Sequence, residues 1–454
     1  MLGSGIFVLP GIAAAKTGPS VWLAYLLAAI CILPATLSKS ELASAMPTSG
    51  GTYVYIERVF GPILGTISGI GLWLSLLLKS SFALVGFGAY LLVLVQIPES
   101  YTKIIAIAFL FLIMLLNILG VKKVGKVQIA IVSLSLGGLI ILFFSGLPFV
   151  SEQLLTPFTY NGTSGLISTV AFVYISYAGV TKIAAVAGEV KNPSRNIPLG
   201  MLFSLIIITL IYVSITYVLV GNIPVQKLAN DIKPIFSLAH NIAGPAFGYV
   251  IAIIGVITLI SMANSGVLAT SRFPFAMALD KLLPEQLGKV HKKYLTPVNT
   301  ILLTCIVMTI VIIFLDVEKI VKLASAFKVM MFISVNACVI VLRETAVQWY
   351  EPKFLSPLYP FIQLFGIFSG FVLLFFLGWM PLIAIILITF FGILIYLLFG
   401  KNAARTGVLK KYGHRPALLL FFSKKARYNH LIELAKKEEN QEIQINISKE
   451  AGVI

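Results

Sequence analysis

The sequence predicts an all-α polytopic membrane protein, and three observations carry that expectation. Apolar residues make up 59% of the 454-residue chain and charged residues only 11%, where soluble domains carry roughly a quarter charged. The apolar residues fall in runs of about 20, enough for one helix to cross the hydrocarbon core. Backbone facing lipid must satisfy its own hydrogen bonds, so such runs read as helices, and the short alternating segments of a membrane barrel are not seen.

Twelve crossings are expected, at about 1–15, 20–45, 59–95, 101–120, 125–148, 163–188, 197–221, 244–279, 297–315, 320–343, 358–378 and 380–400, the first incomplete. The third and eighth exceed one bilayer thickness and are expected to tilt or to extend into water. With both termini placed in the cytoplasm, the inner loops and the tail carry 25 of the 34 Lys and Arg. The outer loops carry six: Lys16, Lys103, Lys227, Lys233, Lys319 and Lys322. This positive-inside asymmetry orients a multi-pass protein of the cell membrane. The net charge of +17 then reads as an orientation signal facing anionic lipid, with the bilayer as partner and no nucleic acid.

Cys31, Cys305 and Cys338 lie inside apolar runs, and His240, His291, His414 and His430 in polar segments. No metal-ligand spacing arises, so neither a metal nor a cofactor is expected. The crossings lack the convergent acid, base or nucleophile of an enzyme. Asn161 and Thr163 fit a glycosylation acceptor pattern by chance. No cleavable leader is expected.

Two apolar runs carry glycines where a crossing should be regular. The first holds Gly3, Ser4, Gly5 and Ile6, with Pro10 and Gly11 beyond; the second holds Ser176, Tyr177, Ala178 and Gly179. Glycine weakens a helix, though it also permits close packing in membranes. The pair is more informative than either alone: one opens crossings one to five, the other crossings six to ten. Corresponding breaks in two halves point to a transport site. Unwound backbone would offer N–H groups to a carboxylate at one break and freed carbonyls to an ammonium at the other. A zwitterionic amino acid presents both charges.

The segments GSGIFVLPG from Gly3, SELASAMPTSGGTYVYIERVFG from Ser40 and SYAGVTKIAAVAGEVKNPSRNIPLG from Ser176 resemble the amino acid–polyamine–organocation superfamily of permeases, closest to its archaeal and bacterial amino acid branch. The resemblance covers about residues 1–400. It implies a five-plus-five inverted-repeat fold: residues 1–148 as the first repeat, 163–343 as the second, 358–400 as two extra helices, and 401–454 as a cytoplasmic tail. It also implies that Gly3, Ser4, Gly5 and Ile6 hold a substrate α-carboxylate, and Ile175, Ser176, Tyr177 and Gly179 its α-amino group. Relatives carry an inner half-helix before the GSG motif. This chain begins two residues before it, so a truncated product or an internal start is expected, which weighs towards a binding protein that does not transport.

Sodium-independent relatives can carry a fifth-crossing lysine in place of sodium; the matching position here is Ser135. Lysines stand instead at Lys79, Lys182 and Lys328. An ammonium in hydrocarbon normally faces protein or water, so Lys79 and Lys182 are coupling candidates; the alternative is a snorkelling or carbonyl-paired structural lysine. Ser261, Asn264 and Ser265, with Thr270 and Ser271 beyond, could serve a coupling ion, or bridge helices as such residues ordinarily do. Tyr174, Tyr177 and Phe172 are candidates for shaping the side-chain pocket. Glu189 and Arg195 would organise an inner gate or a cap, with Asn192 and Pro193 ending one helix and Pro198 opening the next. No carboxylate falls near the expected midplane, which favours neutral amino acids. The expected function is amino acid permeation by alternating access, with proton coupling. Polyamine or inorganic-ion transport, or a non-transporting sensor, are the alternatives.

Overall fold

The computed structural model describes residues 2–47, 51–95, 97–120, 125–185, 190–345, 347, 349–400 and 407–409. Glu189 and nearly all of the tail from 401 lie outside them. All twelve expected stretches fall on helix. The first is α1 (Ser4–Phe7) and α2 (Leu9–Thr17), followed by α3 (Val21–Ala45), a short α4 (Thr52–Phe60) and α5 (Pro62–Val95). Next come α6 (Thr102–Leu119), α7 (Gly125–Gly146), α8 (Gly162–Val173) with a 3-10 segment Tyr174–Ala185, and α9 (Pro193–Asn222). A short α10 (Val225–Leu228) precedes α11 (Pro234–Leu279), α12 (Val298–Phe314), α13 (Val317–Thr345), α14 (Phe361–Phe376) and α15 (Trp379–Phe399). Nine helical stretches among the described residues are long and apolar enough to cross a membrane, and α12 and α14 are shorter apolar helices. One of the nine, Leu9–Ala45, is two crossings: a 3-10 turn at Gly18–Ser20, with Gly18 at φ +78° and Pro19 behind it, reverses the chain between α2 and α3.

Punctuation comes from proline and glycine. Pro62 and Pro234 open helices at positions whose N–H groups would lack partners anyway. Gly61 and Gly378 take positive φ just before α5 and α15, and Gly120 just after α6. The opening of α9 corrects one expectation: Asn192 takes the left-handed conformation, Pro193 opens the helix, and Pro198 lies inside it. The eighth crossing is also modified. Non-helical angles at Ala243 and Gly244 (φ +77°) interrupt α11, so an unforeseen helix from Pro234 leads into the crossing that Pro245 opens.

Burial sorts centre from periphery. In the most apolar part of α5, 78% of residues are buried inside the protein, against 6% in α15 and 17% in α7. Helix α5 therefore runs as a central column packed against α11 and α13, while α7 and α15 leave most of their apolar surface exposed. Six tyrosines among the described residues are completely enclosed: Tyr25, Tyr53, Tyr55, Tyr90, Tyr177 and Tyr212. Several of them gather at the two glycine-bearing segments.

Candidate substrate site

The first segment is one helical turn. The N–H groups of Ile6 and Phe7 both donate to Gly3 O at 3.0 Å, and the regular path is lost at Val8 (φ −121°, ψ −42°) before α2 resumes. The Ser4 N–H, at the open end of the turn, meets the Met262 sulfur at 3.4 Å. A thioether is a weak acceptor that a carboxylate could displace. The tyrosines hold the turn by its carbonyls: Tyr25 Oη donates to Gly5 O at 2.7 Å and Tyr90 Oη to Phe7 O at 2.7 Å.

The second segment differs from the expected unwound break. Tyr174–Ala185 tightens into a 3-10 helix twelve residues long, well beyond the usual three or four. The carbonyls of Ile175 and Ser176 are not free either: Lys79 Nζ donates to them at 2.9 and 3.3 Å. Lys79 is therefore a carbonyl-paired lysine, and its ammonium stands where a substrate amino group was expected.

The two segments abut. A Cβ on Gly5 would lie 2.8 Å from the Ser176 Cβ and 2.9 Å from its Cα, so only glycine fits. Ser176 Oγ donates to Gly5 O at 3.4 Å. Tyr177 Oη donates to Tyr25 O at 3.0 Å, and the Tyr25 and Tyr177 rings pack edge-on against Tyr212 at 5.4 and 5.3 Å. Phe172 is tied to α13 through Ser325 Oγ, which donates to its carbonyl at 3.0 Å, and the Tyr174 ring meets Phe332 at 5.9 Å. Gly3, Ser4, Gly5, Ile6, Ile175, Ser176 and Tyr177 thus form one buried locus, with Gly179 further along the same 3-10 helix.

The remaining candidates stand elsewhere. Ser261 Oγ donates to Gln128 Oε1 on α7 at 2.7 Å, and Asn264 Oδ1 accepts from Asn117 on α6 at 2.8 Å. Ser265 Oγ turns back to Met262 O at 3.1 Å. Ser135 hydrogen-bonds Thr258 across α7 and α11. The Ser261, Asn264 and Ser135 bonds bridge helices, the Ser265 bond stays within α11, and Met262 is the α11 side chain that reaches Ser4. Among the described residues, Lys182 and Lys328 make no hydrogen bond to the locus: with Lys39 they line a cavity of about 780 Å³ beside it. Asn161 donates its amide to Lys16 O at 2.8 Å, a structural tie between the α7–α8 loop and α2. Sequence reasoning missed Tyr25, Tyr90, Tyr212 and Met262. A tyrosine in an apolar run reads the same whether it packs or donates, so no sequence signal marked them.

The sequence profile of the amino acid permease family matches residues 1–411. The chain belongs to this family. It is 28% identical over 430 residues to the branched-chain amino acid permease BcaP of Bacillus subtilis (strain 168), covering 89% of this chain and 91% of that one. The methylthioribose transporter of the same organism is 26% identical over 423 residues, 88% and 90% of the two chains. Its serine/threonine exchanger SteT is 26% identical over 389 residues, 82% and 87%. The chain is accordingly an all-helical, multi-pass membrane permease of the amino acid type and not an enzyme.

Proposed function

We propose that this permease moves neutral amino acids across the cell membrane by alternating access, with the substrate held between Gly3–Ile6 and Ile175–Gly179. The observation that carries the reading is the abutment of Gly5 on Ser176, with Lys79 held on the carbonyls of Ile175 and Ser176. The carboxylate would take the N–H groups at Ser4 and Gly5, displacing the Met262 sulfur. The α-ammonium would compete with Lys79 for the two carbonyls. A lysine released on substrate arrival can pass on a proton, which links Lys79 to coupling.

The neutral preference follows from the groups around the locus. They are an ammonium, phenol hydroxyls and a thioether, and a cationic side chain would gain no partner there. The halves are residues 1–148 and 163–343, with 358–400 appended and both termini cytoplasmic. Two of the relatives bear on substrate: BcaP by name takes branched-chain amino acids and SteT exchanges serine and threonine. Uptake of labelled amino acids into proteoliposomes, with and without an inward proton gradient, tests the reading. Leucine, alanine or serine should accumulate, faster with the gradient. Tighter binding of arginine than of alanine would reject the neutral preference, and no uptake or binding of any amino acid would reject the function.

A further inference from the structure

The cavity beside the locus has a charge problem. Among the described residues, its lining brings together four basic side chains, Lys39, Lys182, Arg272 and Lys328, against one carboxylate, Asp280. Lys39 and Lys328 are only 4% and 3% exposed. The charges of Lys39 and Lys328 repel each other, and Lys182 repels Lys328 in turn. Among the described residues, Lys39 and Lys182 make no hydrogen bond or ion pair, and Lys328 meets only the Phe332 ring, at 4.6 Å. Buried charges normally persist when paired. A neutral group repeats the pattern: the Thr181 hydroxyl lines the same cavity, is 1% exposed and has no partner among the described residues. Such an orphan is rare in folded proteins unless something occupies the space beside it. Arg272 is exposed and gives the cavity a basic mouth that attracts anions.

We propose that this cavity is an anion site, distinct from the amino acid locus, which holds an oxyanion of two negative charges. The oxygens pair with Lys39, Lys182 and Lys328 and accept the Thr181 hydroxyl, so one ligand relieves the lysine repulsion and the orphaned donor together. A zwitterion fits this lining poorly, because the lysines that attract its carboxylate repel its ammonium. The volume is within the usual range for small-molecule sites, so the dianion can be a dicarboxylate or a phosphate.

The test is calorimetric titration of the purified full-length protein in detergent with succinate and, separately, with inorganic phosphate, in the presence and absence of excess alanine. Saturable one-to-one binding of either, unaffected by alanine, is the expected result, and which probe binds tells carboxylate from phosphate. Lys39→Gln should weaken it at least tenfold. Thr181→Val, which preserves shape, should weaken it several-fold and covers the case in which Lys39→Gln fails to fold. The site is refuted if neither anion binds, if alanine displaces the anion competitively, or if Thr181→Val binds as the parent does. Because the assay needs no transport, these outcomes are independent of whether the amino acid reading holds.

Discussion

Gly5 is the residue on which the substrate locus turns. Its hydrogen faces Ser176 at a distance where a methyl group would overlap backbone as well as side chain. Overpacking of this kind costs about 1–3 kcal/mol and displaces the segments. Gly5→Ala should therefore abolish amino acid uptake in proteoliposomes while lowering Tm only modestly. Gly137→Ala is the control: a Cβ there meets nothing within 4 Å, so uptake should be retained and helix α7 slightly favoured. Lys79 makes the second residue-scale prediction. Lys79→Met removes the ammonium from the Ile175 and Ser176 carbonyls, a loss of about 1.5–3 kcal/mol for a hydrogen bond to a charged group, read as a fall in Tm. Addition of a transported amino acid should restore more of that Tm in the variant than it adds in the parent, since its ammonium supplies the missing donor. At this scale the glycine and serine motifs were legible because few residues tolerate such close backbone approach. Lys79 was legible as costly but not in its partner, because a carbonyl acceptor has no sequence signature.

Elements show where local reading stops. Glu41 and Arg343 sit near ends of different crossings and count in the sequence as unrelated charges. The fold joins them: Arg343 grips Glu41 through Nε at 2.7 Å and Nη2 at 2.6 Å, while Tyr350 Oη and the Ser356 N–H and hydroxyl donate to the same carboxylate. Glu41 is wholly buried, so α3 is locked to α13 and to the segment leading into α14. Glu41→Ala strands Arg343, whose side chain is 13% exposed, and should cost about 3–5 kcal/mol, seen as a large drop in Tm. At the start of α11, Asp231 accepts from the Lys233 N–H at 2.8 Å and the Ser237 hydroxyl at 2.6 Å. Burial nonetheless dominates and holds its pKa above the ordinary aspartate value. A raised acid binds more protons folded than unfolded, so its contribution is complete below about pH 4 and is lost as pH rises through the folded value. Asp231→Asn should then be more stable than the parent at neutral pH, and the two melting curves should converge as pH falls below about 4. The 3-10 geometry of Tyr174–Ala185 was invisible because glycine and serine announce an irregular helix without saying whether it loosens or tightens.

At the scale of the whole molecule, apolar run length located every crossing, since the bilayer fixes how much helix each needs. It separated α2 from α3 as well, at the crossings expected over 1–15 and 20–45, but it could not show that the break takes the form of a 3-10 turn at Gly18–Ser20. Nor could it show how the ends of the protein close. At the end opposite the basic cavity, Lys16 bonds Glu318 at 2.6 Å, Lys322 adds a second contact to Glu318 at 2.8 Å, and Lys16 lies 5.1 Å over the Phe172 ring. These contacts tie the first crossing and α13 across the sixth, above the substrate locus. The pair is partly exposed, 22% and 43% at the two side chains, so it contributes about 0.2–1 kcal/mol. That is enough to change the population of a state open at this end by a few-fold and no more. Ser325 lies below the tie, buried, with its hydroxyl on Phe172 O, and serves as the reporter. In a background with Cys31, Cys305 and Cys338 replaced, Ser325→Cys should react with a membrane-impermeant maleimide a few-fold faster when Glu318→Gln is added. Unchanged labelling would mean that the tie only decorates a face held shut by packing, whereas a rise of a hundred-fold would exceed what one exposed ion pair can supply and would point to wider loss of structure.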